Sequence, residues 1–292
     1  MALTTDFVAA VRRQGSIPSN TTAADVLAVG DEEIQARFIA LLESVRQNYM
    51  VRELVASVDA RGKVPLPARA SGAAVRSVQL QVNGSWRSLP QRQMEDEDAQ
   101  TTGQPSGYYL DAGSIVLLPT GSSGALRIRY CARPGKMVLD TDAALCKALT
   151  AVGAPGATTT ALTAAFTGSL ASCDIISVGP AHQAKAIGAT LGGAQPNLTV
   201  LNASLLEQPI VGDFVVLADR SPFVPLPEEL FSALVHSTAS NILLSQAYLE
   251  EAGAQEGKAQ SCIQSALPML LPRNEGNPQR VTGGLRRALG RW

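Results

Sequence analysis

The sequence predicts an α+β fold: a helical bundle formed by the N- and C-terminal helices, an inserted β-rich, barrel-like middle, and an extended C-terminal arm. Apolar residues recur at helical spacing near both ends, within residues 4–55 and 227–267. Between these ends, residues 60–138 show the apolar alternation and turn residues typical of strands. With 292 residues, 46% of them apolar, the chain can bury a sizeable core.

Helices are predicted first, before residue 57. Residues 4–14 fit a short amphipathic helix, and Thr22 or Asp25 can cap a second short helix. Residues 31–55 fit a longer helix that Asp31 would cap. The apolar positions at helical spacing in this longer segment are Ile34, Phe38, Leu41, Leu42, Val45 and Tyr49.

Two hairpins are predicted in the β-rich middle. Asn83-Gly84 is a dipeptide favoured in two-residue hairpin turns, and Trp86 begins the return strand. The residues that alternate before this turn are Val78, Leu80 and Val82. A second hairpin is expected over residues 107–133, with its turn at residues 121–124. The polar, acidic residues 91–104 are expected to form a solvated loop.

A second β-rich segment follows. Residues 140–149 fit a short helix, and residues 153–167 carry only a weak pattern. Four short apolar runs predict strands at residues 175–178, 186–191, 198–201 and 214–217.

The C-terminal helical pair is the strongest structural prediction. Pro227 suits a first helical turn, and Gly253 suits the end of a helix covering residues 227–252. A shorter helix at residues 255–267 is expected to fold back and stop at Pro268. The positions at helical spacing in the first helix are Phe231, Leu234, Val235, Thr238, Ile242, Ser245 and Leu249.

These patterns divide the chain into five segments. They are the N-terminal helices (1–57), a β-rich insertion (58–140), a second β-rich segment (141–220), the C-terminal helical pair (221–272) and an extended arm (273–292).

Charge and composition favour a reducing, cytoplasmic site of synthesis and give no sign of a membrane partner. The formal net charge of −1 provides no field that would attract nucleic acid or a membrane surface. No apolar run approaches a membrane span, and residues 1–14 lack the layout of a signal peptide. The four scattered cysteines, Cys131, Cys146, Cys173 and Cys262, are expected to be free thiols.

The sequence shows no local pattern of catalysis, so we predict a protein that is not an enzyme. No catalytic residue, metal ligand or cofactor is predicted, because P-loop, G-x-S-x-G and C-x-x-C patterns are absent. His182 and His236 are the only histidines, and His236 is expected to be a satisfied or surface histidine rather than a catalytic one. The acidic residues 95–98 lack calcium-loop spacing and suit a solvated loop.

Three stretches, in this order, resemble the head-to-tail adaptor (connector) proteins of tailed bacteriophages. The first is RQNYMVRELV at residues 46–55, followed by Pro65-Leu66-Pro67. The second is GYYLDAGSIVLLPTGSSGALRIRYCARP at residues 107–134. The third runs from GDFVVLADR at residue 212 to Gly253, followed by Pro272-Arg273. Residues 151–206 match this resemblance least.

The resemblance implies a ring of identical subunits, commonly twelve, in the neck of the virion between capsid and tail. Its partners would be the portal protein, a tail or nozzle protein and DNA that passes through the channel without sequence-specific binding. The C-terminal arm would reach into the portal, and its apolar and arginine side chains suit that contact. The residues assigned to portal binding are Arg280, Leu285, Arg286, Arg287, Leu289, Arg291 and Trp292.

Two other functions stay open at this point. The arginine-rich arm also suits a nucleic-acid-binding module, whose binding would weaken with salt. A small hydrolase or ligand-binding protein would need a pocket with converging polar groups in the β-rich middle, and the sequence identifies none.

Overall fold

The structure is a computed structural model. It describes residues 2–14, 17–45, 49–66, 69–93, 103–111, 113–119, 124–154, 156, 158–166, 172–178, 184–193, 196–201 and 205–270, with the backbone alone for 71–74. These residues form both helices and several β-sheets, which confirms the α+β class.

The N-terminal helices are α1 (Thr4–Arg12), α2 (Ala23–Glu33), a π-helical turn (Ile34–Phe38) and α3 (Ile39–Val45). Thr22, one of the two caps that the sequence predicts, caps α2, because its side-chain oxygen accepts the Asp25 N–H at 3.1 Å. Asp25 completes a capping box by accepting the Thr22 N–H at 2.9 Å.

The predicted helix over residues 31–55 is wrong at both ends. Asp31 lies inside the continuous helix rather than at its cap, and α3 ends at Val45. Strand β1 (Val51–Ser57) then pairs antiparallel with β7 along its whole length. A strand forms here because VRELVAS also fits a strand pattern and pairs with β7 along its whole length. A helix exposed at this position would bury little apolar surface.

The first β-rich segment forms two sheets. Its strands are β1, β2 (Lys63–Pro65), β3 (Ala70–Val82), β4 (Ser85–Leu89), β5 (Gly107–Asp111), β6 (Ser114–Leu118) and β7 (Ala125–Ala132). One sheet has the order β1-β7-β3-β4 and the other β2-β6-β5.

The predicted β3–β4 hairpin is confirmed. Val82 pairs with Ser85 across Asn83 and Gly84, whose φ angles of 50° and 80° suit a two-residue turn. The second predicted hairpin is right only for β5 and β6, which pair with each other. Strand β7 instead pairs with β1 and β3, because that sheet buries Leu126 and Ile128.

The stretch of residues 136–221, which extends the second β-rich segment at both ends, forms a seven-stranded and a two-stranded sheet. Its strands are β8 (Lys136–Met137), β9 (Cys146–Ala148), β10 (Ala151–Val152), β11 (Thr159–Thr163), β12 (Ser172–Ile176), β13 (Ala184–Gly192), β14 (Asn197–Leu201), β15 (Phe214–Leu217) and β16 (Arg220–Ser221). The larger sheet has the order β10-β11-β14-β13-β12-β15-β9, and β16 pairs with β8.

Four predicted strands of this segment are confirmed as β12 to β15, whereas the predicted helix at residues 140–149 is wrong. Cys146 is instead the first residue of β9 and pairs with Val216 of β15. This pairing buries the Cys146 side chain among Phe223, Ile176 and Val216.

The C-terminal helical pair is present, but its break lies earlier than predicted. A 3-10 turn (Glu228–Leu230) leads into α4 (Phe231–Ser245), and α5 covers Leu249–Leu270. Ala247, with a φ of 64°, turns the chain between the helices. Gly253 and Pro268, predicted to end the two helices, both lie inside α5.

Both ends of the chain contribute to one hydrophobic core. Phe7 of α1 makes an edge-to-face contact with Phe231 of α4, with ring centroids 6.2 Å apart. The buried members of this core include Val11, Val26, Ile34, Phe38, Leu42, Leu230, Leu234, Val235, Ile242, Ala266 and Leu270. The N- and C-terminal helices therefore pack together, whereas the bundle with a barrel-like middle stays a prediction.

Candidate interaction surfaces

A cleft of about 1010 Å³ lies between α2 and the segment 133–145. One wall is helical and consists of Ala24, Leu27, Ala28, Asp31, Glu32, Gln35 and Ala36. The other wall consists of Pro134, Lys136, Met137, Val138, Leu139 and Leu145. Arg133, Asp142, Asp219 and Arg220 complete the charged rim of this cleft.

Helix α2 places the cleft on the side turned away from the C-terminal helices. Successive helical residues are rotated by about 100°, so Ala24 and Ala28 lie opposite Val26 and Glu33. Val26 is buried in the shared core, and Glu33 Oε1 accepts the side-chain N–H of Asn241 in α4 at 2.5 Å. The cleft and helix α4 therefore occupy opposite sides of α2.

Asp31 joins the two walls of the cleft. Its Oδ1 and Oδ2 both accept the Met137 N–H, at 3.0 and 3.1 Å. Burial raises the pKa of Asp31 to about 6, although the Met137 N–H and the nearby Lys136 and Arg220 oppose this rise. The carboxylate therefore holds strand β8 against α2.

Two further carboxylates of the cleft are also engaged within the chain. Asp142 Oδ1 accepts the Ala144 N–H at 3.0 Å. Asp219 Oδ1 lies 3.5 Å from Nε of Arg69. Asp142 thus binds the local backbone, and Asp219 pairs with a neighbouring arginine.

The cationic side chains of the cleft form fewer contacts within the chain. Among the described residues, no carboxylate forms an ion pair with Arg133, Lys136 or Arg220. Arg133 and Lys136 are exposed and Arg220 is half-buried. Glu32 is likewise exposed and Asp142 is half-buried, and neither forms an ion pair with a described cation. The exposed charges of the cleft are therefore two cations, Arg133 and Lys136, and one carboxylate, Glu32.

An exposed apolar surface lies where α4 meets α5, and we call residues 244–251 the α4–α5 corner. Three large apolar side chains are strongly exposed there: Leu244 (54%), Tyr248 (46%) and Leu249 (67%). Glu250 and Glu251 follow them and are also exposed. The corner thus combines apolar surface with two negative charges.

A smaller apolar patch lies at one end of the seven-stranded sheet. Val178, Ile210 and Val211 are exposed by about half. The buried Asp213 holds two of them by accepting the N–H of Val178 at 3.1 Å and of Ile210 at 2.8 Å. Lys185 Nζ lies 2.9 Å from Asp213 Oδ2 and compensates its charge. The backbone of this patch is therefore held by a buried ion pair.

The residues considered for chemistry are used structurally. His236 Nδ1 bonds Gln255 Oε1 at 2.8 Å, between α4 and α5, whereas His182 lies outside the described residues. All four cysteines are free, as predicted. Burial raises the pKa of Cys146 and of Cys173 to about 12, which leaves both thiols protonated at neutral pH.

The described part of the chain contains no cluster of three or more His, Cys, Asp or Glu side chains arranged to hold a metal ion. In the same part of the chain, no helix combines the length and apolar character needed to cross a membrane.

The residues predicted to bind the portal all belong to 271–292, which lie outside the described residues. The structure therefore leaves Arg280, Leu285, Arg286, Arg287, Leu289, Arg291 and Trp292 as a prediction.

The sequence did not reveal the cleft, because its walls come from segments about 100 residues apart and share no local pattern. The exposed Tyr248 and Leu249 gave a weak signal of the corner, since they interrupt a polar stretch.

A family model described as SU10 adaptor protein matches residues 4–172. The match begins with α1 and ends at the first residue of β12, so it covers more than half of the chain. It includes most of both walls of the cleft, whereas the α4–α5 corner lies beyond it. No curated protein matches the chain.

Proposed function

Because the chain belongs to the SU10 adaptor protein family, a family of phage structural adaptors, we propose that it forms a ring that joins the portal to the tail and continues the DNA channel. The observation that carries this proposal is the family match over residues 4–172. The ring would lie in the neck of the virion and would contain about twelve subunits. This role is architectural and requires no catalysis.

The fold supports such a role. The terminal helices share a core, so the first and last described segments brace each other. The β-rich segments have hydrophobic cores of their own and would offer surfaces to a tail or nozzle protein. The formal net charge of −1 suits a channel wall that lets DNA pass without sequence-specific binding. We also retain the division into five segments, 1–57, 58–140, 141–220, 221–272 and 273–292, as part of this proposal.

The C-terminal arm is proposed as the portal contact. Helix α5 ends at Leu270, which is buried in the shared core, so residues 271–292 start from a fixed point. This stretch carries five arginines and one glutamate, and arginines make bidentate bonds to carboxylates. Leu285, Leu289 and Trp292 would add apolar anchors. Repetition around a ring multiplies each modest contact.

The test is a portal pull-down with three full-length variants and one truncation. Deleting residues 280–292 should leave the protein folded but abolish its binding to portal. The variants R286A/R287A and L285A/L289A/W292A separate the arginine from the apolar contribution. R61A/R87A, which removes two exposed arginines of the β-rich middle, is the matched control and should bind as the unmodified protein does.

Electron microscopy of the purified protein and of particle necks tests the ring itself. Ring-shaped particles between portal and tail are the expected result. Undiminished portal binding by the truncated protein would refute the role of the arm. A protein that is monomeric on its own, and absent from particle necks, would refute the ring.

A further inference from the structure

We propose that the cleft beside α2 receives the α4–α5 corner of a second copy of this chain, and that this contact joins neighbouring subunits. The proposal rests on the proposed ring and assigns the residues that would form its repeating interface. It commits to one occupant, the apolar and acidic corner at residues 244–251 of the neighbouring subunit.

The first argument is size and apolar character. The cleft measures about 1010 Å³, which is at the upper limit of small-molecule sites (about 300–1,000 Å³) and suits a protein segment. Its walls present the half-buried Leu139 and Leu145 beside the exposed alanines Ala24, Ala28 and Ala36. The corner presents Leu249, whose side chain is 67% exposed. Burying these apolar surfaces against each other would stabilise the contact.

The second argument is charge. Arg133 and Lys136 are exposed at the cleft and form no ion pair with a described carboxylate. Glu250 and Glu251 are exposed on the corner, directly after Leu249. The two carboxylates that follow the apolar insert would thus meet Arg133 and Lys136, which outnumber the one exposed carboxylate of the cleft, Glu32, and this pairing would orient the contact.

The third argument is geometry. The cleft lies on the side of α2 that carries Ala24 and Ala28, and α4 packs on the opposite side, where Glu33 bonds Asn241. One subunit therefore carries the two complementary surfaces on different sides. Such surfaces cannot form a two-fold contact of one patch with itself. They form a head-to-tail contact, which closes into a ring when the rotation per subunit is right.

Thiol cross-linking tests which surfaces meet. The full chain carries C262S, because Cys262 is partly exposed, whereas Cys131, Cys146 and Cys173 are buried. Into this background we would place A28C in the cleft and L249C in the corner, and add a short bismaleimide. The double variant should give a ladder of dimers and higher multimers on a denaturing gel. Each single variant should give at most dimers.

Charge reversal tests whether the contact drives assembly. R133E/K136E in the cleft, or E250K/E251K in the corner, should weaken association at least about tenfold at each interface, or about 1.4 kcal/mol. Sedimentation velocity measures the fraction in rings. Combining all four substitutions in one chain should restore assembly, because the charges again match. Circular dichroism and thermal unfolding show that each variant is folded.

The outcomes separate this inference from the proposed ring. A ring that assembles normally but gives no A28C–L249C ladder, or is insensitive to both charge reversals, would overturn the inference and leave the ring intact. A cross-link confined to single chains would also overturn it. Absence of any ring, both from the purified protein and from particle necks, would overturn the proposed function as well.

Discussion

At the scale of single residues, Asp31 links the stability of the cleft to pH. Its carboxylate fixes Met137 of β8 against α2, and burial raises its pKa from 3.8 to about 6. The folded protein therefore binds this proton more tightly than the unfolded chain does. The stabilising contribution of protonated Asp31 is complete below about pH 4 and is lost as the pH rises through about 6.

The variant D31N tests this linkage. Asparagine keeps a carbonyl oxygen that can accept the Met137 N–H, but it cannot carry the buried negative charge. We expect D31N and the unmodified protein to have similar melting temperatures near pH 4, and D31N to be the more stable of the two near pH 7.5. The measurement is thermal unfolding across this pH range, compared as a difference between the two proteins.

The matched control for D31N is E32Q, which removes the adjacent but exposed carboxylate. Its difference from the unmodified protein should change little over the same range. Parallel melting profiles of D31N and the unmodified protein would contradict the assignment of the raised pKa to Asp31.

At the scale of elements, the structure was predictable where local sequence decides it. Asn83-Gly84 determines its hairpin because both residues accept positive φ, here 50° and 80°. Thr22 and Asp25 likewise complete their capping box within four residues. These features depend on neighbouring residues alone, so a single sequence contains the information.

Elements that depend on distant partners were not predictable. Residues 51–57 and 146–148 are strands because β7 and β15 pair with them, although both stretches also fit a helix. Helix α5 runs through Gly253, since Ala252 and Ala266 are buried on one of its faces, Ala266 in the shared core. In each case tertiary packing outweighs local propensity.

The α4–α5 corner allows a prediction in which one substitution has opposite effects at two sites. Ala247 has a φ of 64°. This left-handed backbone conformation is unfavourable for residues that have a Cβ atom, but not for glycine. A247G should therefore stabilise the protein by about 0.5–1 kcal/mol. Ala254 is an exposed residue inside α5, and A254G should destabilise it by about 1 kcal/mol. Urea unfolding measures both, and equal signs would refute the account.

At the scale of the whole molecule, a few polar contacts hold distant segments together. Thr4 Oγ1 of α1 donates to the Val138 carbonyl at 2.6 Å. Arg69, which precedes β3 of the four-stranded sheet, donates from Nη1 to Asp174 Oδ2 of the seven-stranded sheet at 2.6 Å. The sequence could not reveal these pairs, or the cleft that this arrangement creates, because more than 100 residues separate the partners. That the chain is a phage adaptor protein was detectable nevertheless, because this resemblance depends on the order of motifs along the chain.

The Arg69–Asp174 pair leads to a prediction about how the two sheets are coupled. Asp174 is fully buried and the Arg69 side chain is 11% exposed. Burial raises the pKa of Asp174 even with Arg69 beside it, so removing the guanidinium leaves an uncompensated buried charge. R69M should therefore cost about 3 kcal/mol at pH 8. Part of this loss should be recovered as the pH is lowered, because protonation of Asp174 removes the uncompensated buried charge.

Hydrogen exchange measures which strands and helices lose stability in R69M. In R69M, protection should decrease most in β12 and β13, because Asp174 also accepts the Gly188 N–H at 2.7 Å, and it should change least in α4. R129M is the matched control, since Arg129 pairs with Glu53 on the surface at 2.9 Å with about half of its side chain exposed. R129M should therefore lower the free energy of unfolding by at most about 1 kcal/mol. If R69M were as mild as R129M, or if α4 lost protection as strongly as β12, the buried pair would not be what couples the sheets.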